Sequence, residues 1–79
     1  MAFPKSEQEW AERAARLLKA ELKRAEVTYE ELAERLKEHG FAETKASIAN
    51  KLARATMSAH FFLASLAVIG HESVRFEDV

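Results

Sequence analysis

The shortage of turn-forming residues is the feature that most constrains how this chain can fold. Its 79 residues include only 2 glycines and 1 proline, whereas an all-β domain needs such residues at most turns between strands. Apolar residues make up 48% of the chain and charged residues 32%, which is typical of amphipathic helices. At this length we expect one domain, residues 1–79, whose core is so small that a partner chain can contribute buried surface.

Apolar residues at three- and four-residue spacing predict a first helix over residues 7–25. Ser6 followed by Glu9 is a capping-box pattern, in which each side chain satisfies a free backbone N–H. The apolar stripe consists of Trp10, Ala14, Leu17, Leu18, Leu22 and Ala25. The opposite side carries Arg16, Lys19 and Lys23. Glu21 projects among the apolar positions, so we expect it at the edge of the core or beside a cation, because an unpaired buried charge is costly.

Two shorter helices are predicted over residues 29–38 and 44–55. Thr28 and Glu31 repeat the capping-box pattern before the second helix, and Gly40 follows it, where a left-handed residue is often needed. Thr44 is a plausible N-cap for the third helix. Phe41 lies in the turn between the two helices, and we expect its ring to fill part of the core.

The fourth predicted helix, residues 59–69, is apolar on nearly every side. It begins after Ser58 as its N-cap and ends before Gly70. A bundle this small cannot bury every face of such a helix within one protomer, so we expect a homodimer. The tail, residues 71–79, is compatible with a short strand or an extended arm. The residues expected at the dimer interface are Phe61, Phe62, Leu66, Val68, Ile69, Val74 and Phe76.

Enzymatic functions find little support in the residue pattern. There is no cysteine, and no serine is predicted at a strand-to-helix elbow where a nucleophile would be exposed. His39, His60 and His71 lack metal-ligand spacing, and no glycine-rich phosphate loop occurs. We therefore expect no catalytic residues, no metal and no cofactor. The absence of cysteine and of a long apolar run predicts a cytoplasmic, bacterial protein that does not enter the membrane.

The third predicted helix carries cations without acids. Between Thr44 and Ala55 there are three cations and no acid, and a cationic helix that follows another helix is suited to phosphates and base edges. We expect Lys45 and Lys51 to hold phosphates of double-stranded DNA, and Ser47, Asn50 and Arg54 to read bases, because Asn can pair with adenine and Arg with guanine. The candidate DNA-binding residues are Thr44, Lys45, Ser47, Asn50, Lys51 and Arg54.

The segments "VTYEELAERL" and "TKASIANKLARATMSAHFFLASLAVIG" resemble the lambda-repressor-like helix-turn-helix pattern of phage and bacterial regulators. Residues 28–36 resemble its first helix, Ser47, Ile48 and Arg54 its second, and residues 58–70 its closing helix. The chain also resembles a small bacterial family known only as domain of unknown function 6471, across "RLLKAELKRAEVTYEELAERL", "ASIANKLARA" and "FFLASLAVIG". These resemblances imply an all-α four-helix bundle containing a helix-turn-helix, with an extended C-terminal tail, and a role in transcription regulation.

Two main classes of function remain open from the sequence, and a third, a small enzyme or ligand binder, is disfavoured because no polar constellation in a pocket is predicted. A DNA-binding protein requires that the cations of the third helix be exposed on one face. A protein-interaction module, such as an adaptor or an antitoxin-like partner, would use the fourth helix and the tail. The net charge of −1 and the long turn "KEHGFAET" favour the interaction module, and Ala55 stands where the resembling regulators usually have glycine. If the protein is an interaction module, the cations of the third helix should pair with carboxylates within the protomer.

Overall fold

Four α-helices make up most of the protein in a computed structural model that describes residues 2–79. They are α1 (Glu7–Ala25), α2 (Tyr29–Lys37), α3 (Lys45–Arg54) and α4 (Ala59–Val68). Each begins and ends within one residue of its predicted bounds. Within residues 2–79 the remaining regular structure is a short 3-10 helix, Phe76–Asp78, and there is no strand. The predicted all-α class and small four-helix bundle are therefore confirmed.

A hydroxyl side chain closes the start of every α-helix. The N-caps are Ser6, Thr28, Thr44 and Ser58. Thr28 and Glu31 form the complete capping box, with each side chain bonded to the other residue's backbone N–H at 3.1 Å. Before α1 only half of the predicted box forms: Ser6 accepts from the backbone of Glu9, but the Glu9 carboxylate lies 3.8 Å from Arg13 instead. These caps satisfy N–H groups that a helix leaves free in its first turn.

All four helices are followed by a Schellman motif, which closes the C-terminal end of the helix. In each case an N–H beyond the helix donates to the carbonyl five residues earlier, at 3.0–3.1 Å. The residue before that donor lies in the left-handed region: Glu26 (φ 57°), Gly40 (φ 87°), Ala55 (φ 54°) and Gly70 (φ 84°). Glycine adopts this conformation freely, whereas Glu26 and Ala55 do so at a steric cost.

The core lies where α1 and α2 each pack against both α3 and α4. Every helix contributes a pair of large apolar side chains to it, four residues apart in α1, α2 and α3 and five apart in α4. The central ones are Leu18, Leu22, Leu32, Leu36, Ile48, Leu52, Phe61 and Leu66. Complete burial of a leucine, isoleucine or phenylalanine side chain contributes about 1.5–3 kcal/mol. These contacts orient α3 so that its Ile48 and Leu52 side faces inward.

Two residues predicted in the apolar stripe of α1 are exposed, and a third, Ala14, is only half-buried. Trp10 is 39% exposed because it lies toward the start of α1, where its ring stacks on Phe3 at 5.9 Å between centroids. Ala25 is exposed at the last turn. Phe41 is half-buried rather than a full core residue, and its ring lies against His60, 6.2 Å away. Helical periodicity identifies the apolar side of a helix, but it does not show how far along that side the neighbouring helices extend.

Glu21 behaves as its position predicts. Its side chain is at the edge of the core and the residue is only 7% exposed. Arg24 Nη1 lies 2.8 Å from Glu21 Oε1, and His71 Nδ1 lies 2.9 Å from Oε2. The carboxylate thus joins α1 to the first residue of the tail, His71, three residues after α4 ends.

The tail runs back along α1 without forming the strand that was one of its two expected conformations. Residues 71–75 have no regular structure, and the 3-10 helix follows. Phe76 contacts Phe3 edge-on at 6.2 Å between ring centroids, and Arg13 Nη1 donates to the Val79 carbonyl at 3.3 Å. Among the helices of residues 2–79, none has the length and apolar character needed to span a membrane.

Candidate nucleic-acid interface

Three polar side chains of α3 are exposed to solvent. Lys45, Asn50 and Arg54 are all exposed, and within residues 2–79 none of these side chains forms a hydrogen bond or an ion pair. Asn50 and Arg54 share the outer side of α3 with Ala46 and Ala53, which are exposed and small. Lys45 lies at the start of the helix, about 180° from Arg54 around its axis. A helix with a cation near each end, an amide between them and little bulk elsewhere can approach a polyanion closely.

Thr44 and Ser47 are used for closing the start of α3. Thr44 Oγ1 accepts from the Ser47 backbone at 3.0 Å, and Ser47 Oγ accepts from the Thr44 backbone at 2.8 Å. The Ser47 hydroxyl also donates to Glu43 Oε1 at 2.7 Å. Sequence reasoning identified Thr44 as an N-cap but not the reciprocal bond from Ser47. Since its hydroxyl is already bonded, Ser47 is poorly placed for the predicted base contact.

Lys51 does not share the outward orientation predicted for it. Its Nζ forms an ion pair with Glu43 Oε2 and lies 4.9 Å from the centroid of the Phe61 ring, a cation–π contact. Burial raises the pKa of the Glu43 carboxyl, but hydrogen bonds from Lys51 and Ser47 and the charge of Lys51 outweigh it, so the pKa is lowered overall. Lys51 therefore fastens α3 to the preceding turn and to α4, and we correct its assignment as a phosphate contact.

The turn before α3, residues 38–44, is longer than the three or four residues of the usual helix-turn-helix connection. Gly40 provides its left-handed residue, and Phe41 donates its N–H to the Leu36 carbonyl at 3.1 Å. Glu43 lies near its end, and this carboxylate is the partner that sequence reasoning missed for Lys51. The two residues are eight apart and separated by a helix start, so no helical spacing rule relates them.

Three further exposed cations lie on α1, where sequence reasoning placed them on the solvent side but gave them no role. Arg16, Lys19 and Lys23 are exposed and, within the part of the chain that the structure describes, their side chains have no ion-pair partner. Between Arg13 and Arg24 the sequence contains five cations and one acid, Glu21. Counting charges along α1 as well as α3 would have shown this signal.

The predicted dimer residues divide into three groups. Phe61 and Leu66 are 1% and 3% exposed because they pack inside the protomer against the other helices, so their assignment to an interface is wrong. Phe62, Val68 and Ile69 are half-buried and pack on the rim of the core. Val74 and Phe76 are exposed, and so is Leu63, at 63%. Leu63 was not predicted, because an all-apolar helix has no periodicity that identifies its outer face.

The histidines near these surfaces make local contacts. Across residues 2–79, no three His, Asp or Glu side chains come together as they would around a metal ion. His60 lies 3.3 Å from the Ser58 hydroxyl, and His71 contacts Glu21, so each has a local structural contact.

Comparison with known protein families assigns most of the chain. The model of the family described as Domain of unknown function (DUF6471) matches residues 10–74, which include α2, α3 and α4 and nearly all of α1. Searches of curated proteins and of solved structures find no significant match. The matched segment covers most of the chain, and the protein therefore belongs to the DUF6471 family.

Proposed function

We propose that this protein binds double-stranded DNA through the outer face of α3 and acts as a small transcriptional regulator of helix-turn-helix type. The observation that carries the proposal is that Lys45, Asn50 and Arg54 are exposed and free of partners within residues 2–79. Cations that only stabilise a fold commonly pair with nearby carboxylates, as Lys51 does with Glu43. The absence of acids along α3 leaves its outer charge available to phosphates.

The geometry supports a division of roles. Lys45 lies in the first turn of α3, where the positive end of the helix dipole adds to its attraction for a phosphate. Asn50 is suited to a bidentate contact with adenine, and Arg54 to one with guanine. Thr44 and Ser47 act indirectly, because their capping box fixes where α3 begins. In this proposal α2 packs on α3 and supports it, while the turn residues 38–44 separate the two helices.

A homodimer is part of the proposal, because one short helix reads few base pairs. Twofold-related copies of α3 would enter successive major-groove segments about 34 Å apart. The exposed apolar residues Leu63 and Val74 supply a surface for this pairing. They border a cleft of about 280 Å³, which a second copy can fill. No enzymatic activity, cofactor or metal is part of the proposal.

The test begins with selection of a preferred duplex from a random pool, followed by fluorescence anisotropy titration. Asn50→Ala and Arg54→Ala should each weaken binding to the selected duplex by about 1–3 kcal/mol and relax preference at one position. Arg75→Ala is the matched control, since Arg75 is exposed on the tail and pairs with Glu77. If both α3 variants keep the wild-type sequence preference, the base-reading roles are wrong.

A protein-interaction module is the second candidate, and the exposed Leu63 on α4 is the observation that favours it. An apolar surface of this kind can bind another protein as well as a second copy. Sedimentation velocity without DNA gives the oligomeric state, and a titration with duplex DNA at low salt separates the two candidates. A protein that is folded, dimeric and unable to bind duplex DNA at low salt would support the interaction module.

A further inference from the structure

The solvent face of α1 carries a stripe of cations that the proposed contact through α3 does not use. Arg16, Lys19 and Lys23 are three and then four residues apart, so their side chains follow one line along the helix. All three are exposed. Their neighbours Arg13 and Arg24 are already engaged: Arg13 donates to the Val79 carbonyl, and Arg24 pairs with Glu21.

Two clefts border this stripe and connect it to the other helices. One, of about 310 Å³, has Arg16 and Lys19 on its α1 side and Ala53 and Ala55 on its α3 side. The small alanines leave room for a bulky group between the helices. The other, also about 310 Å³, is lined by Lys19 and Lys23 together with residues 27–29 at the start of α2. The cations of α1 therefore lie between the end of α3 and the start of α2.

Holding these charges together is unfavourable for the free protein. Like charges at three- and four-residue spacing on a helix destabilise it by about 0.2–0.5 kcal/mol per pair. The chain as a whole has 13 acids against 12 lysines and arginines, so carboxylates are abundant elsewhere. Of the residues that line the two clefts, one is acidic: Glu12, in the cleft between α1 and α3. The Glu12 carboxylate already accepts a hydrogen bond from the Gln8 amide at 3.1 Å. An external polyanion would relieve this repulsion.

We propose that Arg16, Lys19 and Lys23 contact phosphates of the same duplex that α3 reads, with the sugar-phosphate backbone following the cleft between α1 and α3. This inference rests on the proposed function and adds α1 as a second contact surface. Lysine and arginine side chains that neutralise phosphates raise affinity for every sequence and make binding depend on salt. The stripe therefore sets strength and position, while α3 supplies sequence preference.

The experiment compares two triple variants with equal charge changes. Arg16→Gln/Lys19→Gln/Lys23→Gln removes the stripe, and Lys5→Gln/Lys37→Gln/Arg75→Gln removes the same residue types elsewhere. Both take the net charge from −1 to −4, since each removes three positive charges. Removal of one cation that neutralises a phosphate should lower the slope of log affinity against log salt by about 0.9. The slope of the stripe variant should thus fall by about 2.7, which reduces the affinity change between about 50 and 200 mM salt by about 40-fold.

The outcomes separate this inference from the function on which it rests. The inference is supported if the stripe variant has the smaller slope and keeps its preferred sequence while the control variant keeps both. It is overturned, with the proposed function intact, if the stripe variant binds as the control does while Arg54→Ala weakens binding. Wild-type protein that does not bind duplex DNA at low salt overturns both. Circular dichroism shows that each variant is folded, and Arg16→Lys should retain the wild-type slope because its charge is kept.

Discussion

Replacement of Glu26 by glycine should stabilise this protein, because Glu26 holds the left-handed conformation that ends α1. Its φ and ψ are 57° and 41°, a region that costs an L-residue about 1–2 kcal/mol. The side chain is exposed and makes no polar contact within residues 2–79, so its removal sacrifices little. A negative charge at a helix C-terminus is also unfavourable by about 0.3 kcal/mol or more.

The opposing contribution is the greater freedom of glycine in the unfolded chain, about 0.5–1 kcal/mol. The net gain in free energy of unfolding for Glu26→Gly is therefore about 1 kcal/mol. For 79 residues an unfolding entropy of about 2.1 cal/mol/K per residue gives about 0.17 kcal/mol/K, so the melting temperature should rise by about 6 °C.

Urea unfolding and thermal melts followed by circular dichroism measure the change. Glu12→Gly is the matched control, because Glu12 is exposed inside α1, where glycine should cost up to about 1 kcal/mol. Glu26→Gln removes the charge but keeps the backbone restriction, so it should gain only the dipole contribution. Glu26→Gly that destabilises the protein as much as Glu12→Gly does would refute the left-handed assignment and the reasoning from it.

Three further substitutions test stability. The pKa of Glu43 is lowered in the folded protein. Its carboxylate therefore stabilises the fold at pH values above the ordinary pKa of 4.5, and this contribution is lost as the pH falls through the pKa of the folded protein. Glu43→Gln should therefore cost about 1–2 kcal/mol at pH 7, and a cost that stays constant down to pH 3 in urea unfolding would contradict this assignment. Ser65 is buried and its hydroxyl has no partner within residues 2–79, so Ser65→Ala should leave stability unchanged or raise it by up to about 1 kcal/mol. Ser58→Ala, which removes the N-cap of α4, should lower stability by about 1 kcal/mol, and equal melting temperatures for the two variants would argue against both roles.

The local features of this fold could be predicted from the sequence. The bounds of all four helices and the N-caps Ser6, Thr28, Thr44 and Ser58 follow from short-range rules, because a cap needs only its own hydroxyl and an N–H three residues later. The position of Glu21 at the core edge followed from the cost of burying a charge without a partner.

The long-range features could not be predicted in the same way. Which sides of α4 are buried depends on its packing against α1 and α2, so periodicity could not separate Phe61, which is in the core, from Leu63, which is exposed. His71 reaches Glu21 across 50 residues of sequence, and no spacing pattern relates them. The inward orientation of Lys51 depends on Glu43, whose direction is set by a turn rather than by a helix. These pairings belong to tertiary structure, and they decide which predicted site residues are free.

The contact of Lys51 with Glu43 and with the Phe61 ring has a consequence for how α3 can change. Successive residues of an α-helix are 100° apart around its axis. A rotation (roll) of α3 about its own axis by that angle would therefore expose a different set of its side chains to solvent. Lys51 resists such a roll because it is held by partners on the preceding turn and on α4. Substitutions at Glu43, Lys51 or Phe61 can therefore alter which side chains α3 displays, without any change to the displayed residues themselves.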